Sequence, residues 1–395
     1  LLKAATLYRK AGENENAKRS FRAIIQEYPS STSASQARLS LSELYAEEGQ
    51  TELALREVNR VIESAGPGEV KASALLALGR IQASAGLFSE ARATLAQLIA
   101  PGKKSATSLL AAYELGLLEL GANGYSSALE HFKLVSAGIS TDDSLQVLAR
   151  YNTGIACAGL HRWAEAEQAF EKAADQTRSN SLKRQANYEA GNAAKEHGLN
   201  DKALTYFTYI LAQPYNEHTK KALRQAFATA MDARRDIDAE RFAQRYVREI
   251  GDRHFSPVIL FELGQMFQSG RRNYRKAIGV YDQLRQQFPN TSAAAEAGMK
   301  IGECYEGLGE FQQALAAYKQ ADADYPASEW IDSLQRRSDF ISLYRLKDLP
   351  SATERLAGVM AGIAAQEPKA SIAYRLGVIY FEDLKDYAAA AAQFT

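Results

Sequence analysis

The sequence predicts an all-α solenoid of ten to eleven stacked helix pairs. Three observations carry it: a repeat of about 37 residues, two helix-period stretches in every copy, and proline placed as punctuation between copies. The repeat comes first. Four segments lay over one another: ELGLLELGANGYSSALEHF from Glu114, NTGIACAGLHRWAEAEQAF from Asn152, EAGNAAKEHGLNDKALTYF from Glu189 and KIGECYEGLGEFQQALAAY from Lys300. Taking the first small residue as a marker gives Ala5, Ser42, Gly79, Gly116, Gly154, Gly191, Ala228, Gly264, Gly302, Phe340 and Gly377, spaced 36 to 38 residues apart. One elongated array follows, rather than two or three globular domains.

Each copy holds two helices. Around the marker, apolar residues recur at three and four, as in Tyr113, Leu115, Gly116 and Leu120. The second helix repeats the pattern, as in Ala128, Phe132 and Val135. Turn signals lie between the two: Glu48-Gly49-Gln50, Ala122-Asn123-Gly124, His197-Gly198-Leu199 and Gly307-Leu308-Gly309. Second helices stop at Pro29, Pro101, Pro214, Pro289 and Pro326. Small residues at the marker and at Ala17, Ala54, Ala91, Ala128, Ala166, Ala203 and Ala314 let the helices cross closely. The aromatics Phe21, Phe132, Phe170, Phe207, Tyr281 and Tyr318 fill the space behind them. Two copies depart from the pattern. The one around Ala228 lacks the second-helix alanine in register, and the one around Phe340 has a bulky marker and Pro350 in its turn. They divide the array into 1–215 (repeats 1–6), a basic repeat 7 at 216–255, and 256–395 (repeats 8–11, the last one cut). Cut copies at both ends read as a fragment of a longer chain.

These residues resemble the tetratricopeptide repeat family, whose pattern Gly302, Tyr305, Ala314, Tyr318 and Pro326 follow, as do Ala5, Tyr8, Ala17, Phe21 and Pro29. The resemblance covers essentially the whole chain and implies a right-handed superhelix whose first helices line a concave, peptide-binding groove. The period is longer than the usual 34 residues. With turns such as Tyr28-Pro29-Ser30-Ser31 and Phe288-Pro289-Asn290-Thr291, it looks like the bacterial cell-envelope members of the family, of the Tol–Pal-associated and outer-membrane assembly lipoprotein kinds. That implies the periplasm or cell envelope, with the cytoplasm as the alternative.

Composition excludes several classes. With 46% hydrophobic and 24% charged residues the chain is globular in type, and two cysteines exclude a disulfide scaffold. No run approaches the 18 apolar residues of a membrane helix. Phosphate-binding, dinucleotide, zinc-protease, nucleophile-elbow and paired-cysteine motifs are absent. The five histidines are scattered over different copies, so neither a metal nor a cofactor is expected. Cys157 and Cys304 read as small core residues.

Surface remains. The resemblance places the residue three before each marker at the groove, and Tyr113, Tyr151 and Tyr188 there form a ladder in successive copies, with Phe261 and Tyr374 at the same place further on. Asn152, Asn192, Lys195 and Gln265 flank it as hydrogen-bonding partners of a ligand backbone. The competing reading is that these rings only pack the stack. The carboxylate clamp of chaperone-binding relatives is not assembled in any run of copies.

The 47 basic and 47 acidic residues conceal a basic middle. Residues 220–285 carry a net +6, against −1 before them and −5 after. Arg234, Arg235, Arg241, Arg245, Arg248, Arg271 and Arg272 form its core, with Arg241, Arg245 and Arg248 on one helix face. Such a face suits an anionic polymer or a membrane surface; nucleic acid would need more, aromatics interleaved with the bases of the patch or a much higher total charge, and is not expected. The reading is therefore a non-enzymatic scaffold that binds a protein or peptide. The alternatives are an anion-binding basic segment, and an accessory array of an enzyme whose catalytic domain lies outside this chain.

Overall fold

A computed structural model of the protein describes residues 1–99, 105–138, 143–362 and 366–394; Pro101 lies outside them. Among the described residues there are 22 α-helices and no strand. They form eleven pairs: α1 Leu2–Lys10 with α2 Asn14–Glu27, α3 Thr32–Glu47 with α4 Thr51–Ser64, α5 Glu69–Ser84 with α6 Phe88–Ala96, and α7 Ala106–Gly121 with α8 Tyr125–Ser136. Then come α9 Asp143–Gly159 with α10 Trp163–Gln176, α11 Asn180–Glu196 with α12 Asn200–Leu211, α13 Thr219–Asp232 with α14 Asp236–Glu249, and α15 Phe255–Gln265 with α16 Tyr274–Gln287. The last are α17 Ser292–Gly307 with α18 Phe311–Asp324, α19 Ile331–Phe340 with α20 Leu349–Gly362, and α21 Gln366–Val378 with α22 Tyr387–Phe394. Two compact blocks result, Leu1–Gln225 and Ala226–Thr395.

From α1 to α12 every helix packs on the next in sequence, and the first helices α3, α5, α7 and α9 also touch one another in turn. The first helices are thus the more closely spaced layer. Its core runs through repeats, as in Phe21, Leu41, Leu44, Val58 and Ile81, all 0–3% exposed. Full burial of one such side chain is worth about 1.5–3 kcal/mol. In the second block α15 touches α17 in the same way.

The marker residues are where the helices of a pair meet. A Cβ on Gly154 would lie 2.6 Å from the Phe170 ring, and one on Gly191 would lie 2.6 Å from Phe207. Gly79 meets Leu95 at the same distance. The marker is small because a second-helix side chain lies on the first helix's backbone.

The turn after each first helix follows one design. The backbone N–H five residues beyond the marker's third successor closes it: Gln50 on the Tyr45 carbonyl, Arg162 on Cys157, Leu199 on Ala194 and Glu310 on Tyr305. The residue before that donor takes a left-handed conformation, supplied by Gly12, Gly49, Gly86, Gly198 and Gly309, and elsewhere by Asn123, His161, Arg234, Arg272, Lys347 and Lys385. In three repeats the closing bond spans six residues, from Asn273 to Phe267, Asp348 to Ser342 and Asp386 to Tyr380. There the first helix ends in a π-helical segment, Met266–Gly270, Ile341–Arg345 or Ile379–Asp383, which absorbs one added residue.

This shared turn corrects the register of the two irregular repeats. Arg235 closes on the Ala230 carbonyl, so Phe227 and not Ala228 stands at the marker position of repeat 7. Ala239 then falls in register and is 0% exposed, so the second-helix alanine is present. In repeat 10 the bond from Asp348 to Ser342 puts Asp339 at the marker, and Phe340 points outward, 46% exposed. Pro350 is not in the turn but in the first turn of α20, where its missing N–H has no helical partner to lose.

Candidate functional site

The tyrosine ladder lies over the same crossing. Tyr113 packs on Phe132 with ring centroids 5.8 Å apart, Tyr151 on Phe170 at 5.4 Å, and Tyr188 on Phe207 at 6.1 Å. Phe261 on Tyr281 at 5.7 Å and Tyr374 on Phe394 at 5.8 Å repeat the contact. Each ring thus leans on the second-helix ring of its own repeat, in the tilted geometry aromatic pairs favour. Tyr151 is only 8% exposed, and burial pushes its hydroxyl up to about 12. Burial also raises Tyr113, against the opposing hydrogen bond from Asn152. Asn152, 7% exposed, donates from Nδ2 to the Tyr113 hydroxyl at 3.0 Å. Tyr151 and Asn152, read from sequence as a ligand anchor and its neighbour, are interior groups here. Asn152 ties α9 to α7, while the Tyr151 ring, three before the marker, turns toward its own second helix and packs on Phe170 of α10.

Tyr113 and Tyr188 are half-buried, and Tyr188 also meets His218 at 6.1 Å. Asn192 is half-buried and donates to Glu189 at 3.3 Å; Lys195 is half-buried and Gln265 exposed. Tyr374 is well exposed at 64%.

The exposed part of the first-helix face lies beside the ladder. Residues six before and one after the marker are seven apart and share a helix face. They are Leu110 and Leu117 on α7, Leu148 and Ile155 on α9, and Gln185 and Asn192 on α11. Leu117 is 38% and Leu148 37% exposed, so an apolar strip crosses repeats 4 and 5 and turns polar in repeat 6. Neither leucine stands at the aromatic position of the ladder; their sequence signal is the seven-residue spacing on one helix face.

Beside this strip a cleft of about 760 Å³ opens between α9, the 176–179 loop and α11. Arg150, Arg178, Gln146, Gln185, Leu148 and Leu182 are among its lining residues, and none of the described lining residues is acidic. Arg150 donates from Nη1 to the Gln176 amide oxygen at 2.6 Å.

The basic segment is laced into carboxylates. Arg235 and Arg241 share Asp238, each at 2.6 Å, and Arg245 and Arg248 both approach Glu249, at 2.9 and 3.6 Å. Arg271 holds Asp236 at 2.6 Å and donates to the Arg234 carbonyl, while Lys276 reaches Glu240 at 2.8 Å. Arg234 and Arg272 occupy the left-handed turn positions. Much of the field of this segment is therefore consumed within the fold.

Cys157 and Cys304 are free and buried, at 1% and 0% exposure, and burial lifts the Cys304 thiol to about 12. Thiols so protonated are poor nucleophiles. Among the described residues no group of three or more His, Cys, Asp or Glu is placed to hold a metal ion, and no helix is long and apolar enough to cross a membrane.

Comparison with known proteins accords with this geometry. A tetratricopeptide repeat-like domain model matches residues 2–108, and a tetratricopeptide repeat model matches 113–181 and 268–329. Together they span more than half of the chain and leave out residues 182–267 and 330–395, which include repeats with a glycine marker as well as those of Phe227 and Asp339. No curated protein matches the sequence. Among solved structures, the C-terminal part of a TPR repeat-containing protein from Cytophaga hutchinsonii is similar at 13% identity over 75% of this chain and 99% of that one, with a TM-score of 0.47. PilF of Pseudomonas aeruginosa is similar at 16% identity over 55% and 92%, with a TM-score of 0.42. A tetratricopeptide repeat protein from Parabacteroides merdae is similar at 14% identity over 81% and 99%, with a TM-score of 0.37.

Proposed function

The chain is built of tetratricopeptide repeats, and from that premise we propose a non-enzymatic scaffold that binds a protein or peptide segment along the first-helix face of repeats 4 to 6. Such repeats generally serve protein–protein contact. The observation that supports this place is the strip through Leu117 and Leu148, two leucines left more than a third exposed on neighbouring first helices. The largely packed rings beside it, with Asn152 bonded to Tyr113, hold the strip's backbone before any partner arrives. A preformed face spends little ordering entropy on binding, so modest apolar contacts add along it. Asn192 and Lys195 extend the face with polar ends in repeat 6. The long period and its aromatic–proline turns favour a bacterial cell-envelope setting for this activity.

Selection of peptides from a random library on the intact chain tests the reading. Leu117→Glu together with Leu148→Glu should weaken the selected peptides by at least about tenfold, since central contact residues cost about 2 kcal/mol when lost. Unchanged affinity in that variant removes the strip as the binding face.

A further inference from the structure

We propose that the cleft between α9 and α11 holds an acidic stretch of the protein partner, with Arg150 and Arg178 taking its carboxylates. The inference rests on the reading above and names the chemistry of the segment bound.

Repeat register carries the argument. Arg38 stands four residues before its marker in repeat 2, and its Nη1 donates to Glu57 at 2.6 Å in a largely buried pair. Arg150 stands at the same position of repeat 5, but the residue in the place of Glu57 is Ala169. Other first-helix arginines also hold carboxylates: Arg9 with Glu43 and Glu47, Arg80 with Glu114, Arg184 with Glu217. Among the described residues the side chain of Arg150 donates to the neutral Gln176 amide and to no carboxylate, which leaves most of its five donors unused there. Arg178, exposed on the 176–179 loop, has no carboxylate partner among the described residues.

The surroundings add to the positive charge. On its other side Arg150 borders a smaller cavity of about 240 Å³ that Lys133 and Lys172 also line. The one acidic residue lining that cavity, Glu165, is held by Arg162 at 2.5 Å. Ser179 caps α11 by accepting from the Leu182 N–H, so the positive end of that helix faces the same cleft. A planar guanidinium with free donors matches a carboxylate in two-point geometry. The volume lies in the range of clefts that take small ligands or a few side chains. Leu148 belongs both to the cleft and to the apolar strip, so one extended segment would follow the strip with apolar side chains and enter the cleft with acidic ones.

Fluorescence anisotropy on the intact chain decides it. The probe is a labelled peptide of alternating Leu and Asp/Glu; the comparisons are its Asn/Gln counterpart and a single-stranded oligonucleotide of equal charge. The acidic peptide should bind at least about tenfold more tightly than the amide peptide, as expected for charge-assisted hydrogen bonds. Arg150→Gln with Arg178→Gln should lose that margin. So should Ala169→Glu, which gives repeat 5 the carboxylate repeat 2 already has and leaves both arginines in place. Arg241→Gln with Arg248→Gln should bind as the parent does. Equal affinity for the two peptides, or binding untouched by the Arg150/Arg178 and Ala169 variants, overturns the proposal. Tighter binding of the oligonucleotide through the same arginines overturns it in favour of nucleic acid. If the acidic probe fails while library-selected peptides still bind through Leu117 and Leu148, the cleft assignment alone falls; if neither binds, the scaffold reading falls with it.

Discussion

Repeats 6 and 7 solve one packing problem in opposite ways. In repeat 6 the first helix offers Gly191 and the second helix lays Phe207 on it. In repeat 7 the corresponding pair is Phe227 and Ala243, 2% and 0% exposed: the ring has moved to the first helix and the small residue to the second. Ser42 with Val58 and Asp339 with Leu356 are intermediate divisions of the same space. What the repeat holds constant is the volume shared at the crossing, not the residue at either position, as expected of an interior packed to crystal-like density.

The sharpest way to break that comparison is to impose the second solution on the first repeat. Phe207→Ala alone should cost about 3–5 kcal/mol by opening a cavity. Gly191→Phe alone should cost at least about 3 kcal/mol by overpacking. The double variant should cost less than the sum of the two, with a coupling of about 2–3 kcal/mol in a double-mutant cycle by urea unfolding. Additive costs would mean that the two positions do not share one space.

A smaller effect separates glycines at the crossing from glycines in the open. Gly154→Ala puts a methyl 2.6 Å from the Phe170 ring and should destabilise by about 1–3 kcal/mol, despite alanine's helix propensity. Gly279→Ala, exposed in α16 with nothing within 4 Å, should stabilise by about 0.5–1 kcal/mol. Thermal unfolding of the two variants tests both signs; a shift of the same sign in each would refute the distinction.

The smallest expected change lies in the turns. Arg272 and Lys347 hold a left-handed backbone that Gly309 occupies without cost in its own repeat. Arg272→Gly should therefore gain about 0.5–1 kcal/mol, and Gly309→Ala should lose about as much. Loss of stability in Arg272→Gly would show that its side chain contributes more than its backbone costs.

The array itself was readable because a 37-residue period and paired amphipathic stretches are local properties of the sequence. Register failed only at Ala228 and Phe340, where the search was for a small residue at a position defined by shared volume. The alanine twelve or thirteen residues after each corrected marker was the steadier guide. It includes Ala239 and Ala277, in the repeats on either side of the misplaced step. The π-helical additions lengthen the steps from Gly264 and Asp339 to 38, but the step from Gly116 is 38 without one, and they have no residue signature, since they are a change of hydrogen-bond partner rather than of composition. The ladder tyrosines could be located but not oriented: the direction of a ring three before the marker depends on which second-helix side chain is there to receive it. The Arg150 cleft depends on a carboxylate that is absent, and absence becomes visible only when repeat 5 is set beside repeat 2 in correct register.

Many of the surface ion pairs join side chains one repeat apart: Arg9 with Glu43, Arg80 with Glu114, Lys276 with Glu240, Arg285 with Asp324. Each is worth little by itself, about 0.2–1 kcal/mol. Their weight falls not on any helix pair but on the agreement between neighbours, since a repeat that melts strands the charges of the next. They set how far a local opening spreads before it heals, and they respond to ionic strength while the apolar crossings do not. The salt concentration around this protein thus acts on the coupling between repeats more than on the stability of any single one.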